Sequence, residues 1–90
     1  MADWSVVDFD WDEGNIDHLL VRHGIEPSQA EQVFSNRPFV RRGRTAYTAS
    51  GRDDRGNYLF VVFEFRAGMV RVFSARQMTL QERRTYARHR

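Results

Sequence analysis

The chain has no cysteine and no lysine, and none of its apolar runs approaches the about 18 residues that a membrane-spanning helix needs. Without thiols there is no disulfide framework, no thiolate zinc site and no cysteine nucleophile. Without lysine there is no Schiff-base chemistry. A GC-rich genome accounts for missing lysine codons as well as selection does, but it says nothing about where the arginines lie. The opening "MADWSVVDFDWDEGN" is acidic where a secretory or mitochondrial leader is basic, so the expected location is the cytoplasm, with no membrane contact.

What remains is a chain of 90 residues, 41% apolar and 13% aromatic, the size of one domain spanning residues 1–90. A chain this short buries roughly 60 to 65% of its unfolded surface. Its charge is uneven: residues 1–34 hold eight acids against one arginine, and residues 35–90 hold thirteen arginines against four acids. The net charge of +2 therefore hides an acidic first third and a basic remainder. All fourteen cations are guanidinium forks, able to bind a phosphate or carboxylate bidentately and to stack on aromatic rings.

The residue pattern predicts an α+β domain with two N-terminal helices, an antiparallel sheet of three to four strands and a C-terminal helix. After "WSVVDFDW", read as a short strand, Asp12 caps and Gly24 stops a helix over residues 13–23. In that helix Ile16, Leu19, Leu20 and His23 share one face, which points His23 towards the core. A second helix runs from Pro27 to Ser35, with Ala30, Val33 and Phe34 as its apolar stripe. "FVRRG", "RTAYTAS", "NYLFVVFEF" and "MVRVFSAR" read as strands, the third as a central one covered on both faces. Their connections are too short for parallel crossovers. Thr79 and Glu82 have capping-box spacing, so a helix starts near Leu80. At 100° per residue it gathers Leu80, Arg83, Tyr86, Ala87 and Arg90 on one face.

Three stretches resemble one family, the BrnT toxins. "FDWDEGNIDHLLVRHGIEPSQAEQVF" is similar to its opening: a Trp-Asp, a basic-His-Gly triplet closing the first helix, and a second helix ending in Val-Phe. "GRDDRGNYLFVVFEF" resembles its Gly-Arg loop and hydrophobic strand, and "VRVFSARQMTLQERRTYARHR" its Ser-Ala-Arg, Thr, Glu-Arg and Tyr ending. The likeness runs from Phe9 to Arg88, and the ending is its most specific part. It implies a RelE-like fold and a ribonuclease toxin of a bacterial type II toxin-antitoxin pair that cuts RNA and arrests growth. It also implies a BrnA-like antitoxin as protein partner, with DNA contacted only through the antitoxin complex. Two positions depart from the family pattern: Asn15 and Arg22 stand where lysines are usual.

RNA cleavage by its own 2′-hydroxyl needs no metal and no cofactor. It needs charge stabilisation at the phosphate, which arginines supply, and proton transfer, which His, Glu or Tyr supply. The candidate catalytic residues are Arg76, Arg83, Tyr86 and His23, with Arg52 and Arg90 as RNA or phosphate ligands. Each has an ordinary alternative: Arg76 can cap a neighbouring carbonyl or pair with Glu64 or Asp54, Tyr86 can simply pack the helix, Arg52 can be solvated, and His23 can be a structural histidine. Asp8, Asp10, Asp12 and Glu13 read as a solvated acidic edge, and no metal-binding motif is present. The other reading of the chain is a non-catalytic module that holds RNA, DNA or an acidic partner with its arginine-rich half.

Overall fold

The computed structural model describes residues 3–89. Short connections force the four strands into a meander. Strands β1 (Phe39–Arg42), β2 (Tyr47–Arg52), β3 (Tyr58–Arg66) and β4 (Met69–Gln77) lie side by side in that order, every pair antiparallel. Alternation then sorts side chains onto two faces. Ala49, Leu59, Val61, Phe63, Val70, Val72 and Ala75 point one way and are buried. A bulge keeps β4 in step: Val62 faces Ser74 and Phe63 faces Val72, leaving Phe73 as the extra residue.

Two helices close this inner face. Helix α1 (Glu13–Asp17) starts at Asp12, whose carboxylate accepts the Asn15 backbone N–H at 2.9 Å, and continues as a π-helical segment over His18–His23. Helix α2 (Pro27–Ser35) has proline in its first turn, as expected, and buries Ala30, Val33 and Phe34. It lies so close to β2 that a Cβ on Gly51 would meet Val33 Cγ1 at 3.0 Å, so a larger residue there would push against α2. Phe34 and Phe63 meet edge to face at 5.0 Å, and Trp4 and Phe9 extend the cluster.

Three expectations change. "WSVVDFDW" is not a strand: Trp4–Val6 forms one turn of 3-10 helix, capped by the Asp3 carboxylate on Ser5, and only Phe9 bridges the sheet, pairing in parallel with Val70. Placing Trp4 against Phe34, Phe63 and Phe65 requires that turn. Strand β3 is central, but only Leu59, Val61 and Phe63 are fully buried; Tyr58, Phe60 and Val62, on the outer face, keep part of their surface.

The third change concerns His23, expected towards the core. A π-helix closes i to i+5 rather than i to i+4, so residues four apart no longer share a face. Leu19 stays fully buried, whereas Leu20 and His23 turn out to solvent. His18 and His23, five apart, bring their rings within 5.4 Å. Gly24, at φ +66°, ends the segment with its N–H on Leu20 O, and the Ile25 N–H reaches back to Leu19 O.

Charge also has a structural use. Arg71 on β4 binds Asp12 at 2.7 Å and Asp10 at 3.5 Å, fastening the acidic N-terminal segment to the basic remainder of the chain. Part of the expected solvated acidic edge is therefore paired. The Asn15 N–H and then Arg71 hold the Asp12 carboxyl below its ordinary pKa.

Candidate nucleic-acid site on the outer face

The outer face is crossed at one end by helix α3 (Leu80–His89). The capping box forms as its spacing predicts: Glu82 Oε1 accepts the Thr79 N–H at 2.8 Å, and the Glu82 N–H donates to Thr79 Oγ1 at 3.2 Å. The same carboxylate takes both arms of Arg76, at 2.7 and 2.8 Å. Arg76 thus pairs with Glu82 rather than with Glu64 or Asp54, and its guanidinium lies 4.7 Å from the centre of the Phe60 ring. This hydrogen-bonded pair raises the Arg76 pKa and, from the other side, depresses that of Glu82. Arg76 is held as a strut between sheet and helix.

This contact sets the rotation of α3. Glu82, Thr85 and Tyr86 face the sheet, and Leu80, expected on the buried stripe with Arg83, Tyr86, Ala87 and Arg90, is 64% exposed. The outer face offers α3 an arginine and aromatic rings rather than aliphatic side chains, so a carboxylate and a phenol turn inward in place of leucine. Tyr86, 5% exposed, meets Tyr58 edge to face at 6.1 Å. Packing and presentation therefore coincide at Tyr86. Its hydroxyl makes no hydrogen bond among the described residues, and Tyr86 borders a surface cleft with Tyr58 and Arg83. Tyr86 lines a pocket with Arg37 and Arg52.

Around Tyr58 the two arginines converge. The Arg83 guanidinium lies 4.1 Å from the ring centre and that of Arg52 5.3 Å. Among the described residues neither has a carboxylate within ion-pair distance, unlike Arg71 and Arg76. Tyr86 borders the clefts beside both, one with Arg52 and one with Tyr58 and Arg83, which makes the two guanidinium forks candidate anion ligands. Of the residues singled out from the sequence, Arg52, Arg83 and Tyr86 come together here and Arg76 adjoins them through Glu82. His23 does not join them: it lies on the α1 segment that covers the opposite face. Arg90 lies outside the described residues.

Sequence reasoning missed what holds Arg52 in place. Asp53, 3% exposed, accepts hydrogen bonds from the backbone N–H groups of Arg55 and Asn57 and from the side chains of Asn57 and Gln29, all at 2.8 to 3.0 Å. Burial pushes its carboxyl up, but these four donors outweigh burial and the net pKa is lowered. Asn36 donates to Arg52 O and Asp54, and Gln32 accepts the Asp54 N–H. The signal was available: Gln29, Gln32 and Asn36 recur at helical spacing on the polar side of α2. Arg37 was also missed. It borders Tyr86 and Arg52 and sits at φ +54° immediately before Pro38, a conformation disfavoured for a non-glycine residue and more so before proline.

Against known proteins, residues 11–82 match the family model described as "Ribonuclease toxin, BrnT, of type II toxin-antitoxin system". The chain belongs to the BrnT family. Such a toxin has an antitoxin as partner and RNA as target. Among solved structures, the chain is similar to the Brucella abortus ribonuclease toxin BrnT, with a TM-score of 0.63 over 82% of this chain and 99% of that one. At 19% identity this likeness establishes the fold: three helices and a four-stranded antiparallel sheet, the α+β plan that the residue pattern predicts. No curated protein gives a significant match. The two departures from the BrnT lysine pattern lie away from α3. Asn15 takes part in the α1 cap and its side chain donates to Val72 O at 2.7 Å, while Arg22 is exposed on the π-helical segment. No helix among the described residues is long and apolar enough to cross a membrane, and none of their acidic and histidine side chains cluster as a metal site.

Proposed function

We propose that this BrnT chain is a metal-independent endoribonuclease that acts in the cytoplasm and arrests growth, with its site at the α3 end of the outer face. The observation that carries the reading is that Arg52 and Arg83 both pack on Tyr58, without carboxylate partners among the described residues, and that Tyr86 borders the clefts beside them. The RNA 2′-oxygen attacks the adjacent phosphorus, the bond to the 5′-oxygen breaks, and a 2′,3′-cyclic phosphate and a 5′-hydroxyl result. Arg52 and Arg83 hold the non-bridging oxygens and stabilise the charge that builds on them. The 2′-proton leaves to water, Tyr86 donates its phenolic proton to the departing 5′-oxygen, and water reprotonates the phenolate. Arg76, committed to Glu82, positions α3. A BrnA-like antitoxin whose acidic segment covers this basic face blocks the toxin, and DNA is reached only through that complex.

A second reading has its own support. With His23 on the other side of the sheet and Arg76 neutralised, the site is richer in anion ligands than in proton donors, as suits a module that holds nucleic acid without cutting it. Incubating purified protein with labelled RNA in EDTA separates the two readings. Cleavage that falls in Arg83→Ala and Tyr86→Phe supports the enzyme. Salt-sensitive binding with intact RNA supports the module.

A further inference from the structure

On the other side of α3 from Arg83, between the helix and the β1–β2 hairpin, the outer face holds a second cleft, and we infer that it is a nucleotide subsite that seats an RNA base. It is lined by Phe39, Arg41, Thr48, Ser50, Phe60 and Thr85, among others. Its aromatic walls are fixed before any ligand arrives. The Phe39 ring is stacked on His89 at 4.3 Å with 9° between planes, and His89 is itself tied by Nδ1 to Thr85 O at 2.9 Å. A carbonyl only accepts, so Nδ1 carries the hydrogen and the ring orientation is set. Phe60 is pinned by the Arg76 guanidinium, which Glu82 locks in turn.

Polar groups make up most of the lining, Arg42, Gln81 and Glu82 among them, the last committed to Arg76. Ser50 is only 7% exposed, and its hydroxyl has no side-chain hydrogen bond among the described residues. Ser50 is one of the residues that line the cleft. Thr48 presents a second hydroxyl one β-repeat away, and Arg41, exposed on the rim and without an ion-pair partner among the described residues, presents a cation. Rigid aromatic walls, the hydroxyl residues Thr48, Ser50 and Thr85, and the guanidinium groups of Arg41 and Arg42 suit a flat heterocycle bearing a phosphate. An aliphatic ligand would leave the hydroxyls unsatisfied, and a bare anion would not use the rings. The subsite rests on the reading above in one respect: the cleft and the Arg83 side lie on the two flanks of α3, and one RNA strand crossing the helix would meet both.

Backbone amide NMR titration tests this with two probes, the four nucleoside 5′-monophosphates and a short oligoribonucleotide methylated on the 2′-oxygen at each position so that it cannot be cut. The expected result is chemical-shift change at Thr48, Ser50 and Phe60 with the oligonucleotide. Ser50→Val should lower affinity about tenfold for the preferred base and less for the others, whereas Arg83→Ala should weaken all sequences alike. Shifts with the monophosphates as well would identify a site for free nucleotides, and shifts with the oligonucleotide alone one for chain-borne bases; both support the subsite. Arg41→Ala, at an exposed position, carries the same test should Ser50→Val unfold the chain. Shifts confined to Arg52, Arg83 and Tyr86, or unchanged affinity and base preference in both variants, would overturn it. Cleft binding without cleavage of ordinary RNA would sink the ribonuclease reading and leave the subsite standing, and cleavage with a silent cleft would do the reverse.

Discussion

The two faces of the sheet are built from opposite materials. The inner face is dry and aliphatic to aromatic, closed by α1 and α2 around Leu19, Phe34, Leu59 and Phe63, none more than 1% exposed. The outer face is held by an Arg76–Glu82 pair, guanidinium groups over rings, and a Phe39–His89 stack, and from α3 it buries Tyr86 alone. Apolar burial makes the larger contribution to stability, at about 25 cal/mol per Å2. Half-exposed ion pairs and cation–π contacts contribute on the order of 1 kcal/mol or less each. The inner face therefore sets stability, and the outer face is free to present charge.

Variants sharpen that division, beginning where the effect is greatest. Phe63→Ala should cost about 3 to 5 kcal/mol by urea denaturation, with any loss of RNA cleavage tracking loss of folded protein. Asp53→Ala leaves four donors without their acceptor and should cost about 1 to 3 kcal/mol. Because it releases the Arg52 loop, it should also weaken RNA binding by more than the unfolded fraction accounts for. Glu82→Ala removes half of the capping box and the partner of Arg76 and should cost about 1 kcal/mol, read as lost α3 helicity by circular dichroism and NMR. Arg83→Ala should change stability by less than about 0.5 kcal/mol and slow cleavage about 100-fold. A comparable stability loss in Arg83→Ala and Phe63→Ala would abolish the distinction between the faces.

Acid provides a finer test. Glu82 has its pKa lowered by the hydrogen bonds from Arg76, so the pair's contribution is fully present above the ordinary glutamate value of 4.5 and is lost as pH falls through the depressed folded value. Amide signals of α3 should therefore report loosening below about pH 4.5 in the wild-type chain. In Glu82→Gln the α3 signals should lack that transition, while Asp53, lowered in the same sense, still destabilises the β2–β3 loop in acid.

The parts of the fold that local rules govern were legible in the sequence. Pro27 at the helix start, Gly24 at a left-handed stop, the short strand connections and the Thr79 to Glu82 spacing each act through neighbouring residues, and each has the structural role its position predicts. Features decided by tertiary competition were not legible. The π-helical widening at His18–His23 is invisible to a wheel drawn at 100° per residue, and it turns His23 outward. The rotation of α3 depends on Arg76 reaching Glu82 across the sheet, which draws Glu82 and Tyr86 inward and leaves Leu80 in solvent. The anion site was half legible: Arg52, Arg83 and Tyr86 stood out by type and position, but Tyr58, the ring that gathers them, read only as part of an apolar strand.

The most direct measurement is the initial rate of labelled-RNA cleavage in EDTA by wild type and Tyr86→Phe, with thermal unfolding of both recorded in parallel. Phenylalanine keeps the edge-to-face contact with Tyr58 and removes only the phenolic hydroxyl. The account predicts cleavage by wild type, a rate about 100-fold lower in Tyr86→Phe, and matching unfolding temperatures. Intact RNA with wild type, or equal cleavage by the two proteins, would contradict it.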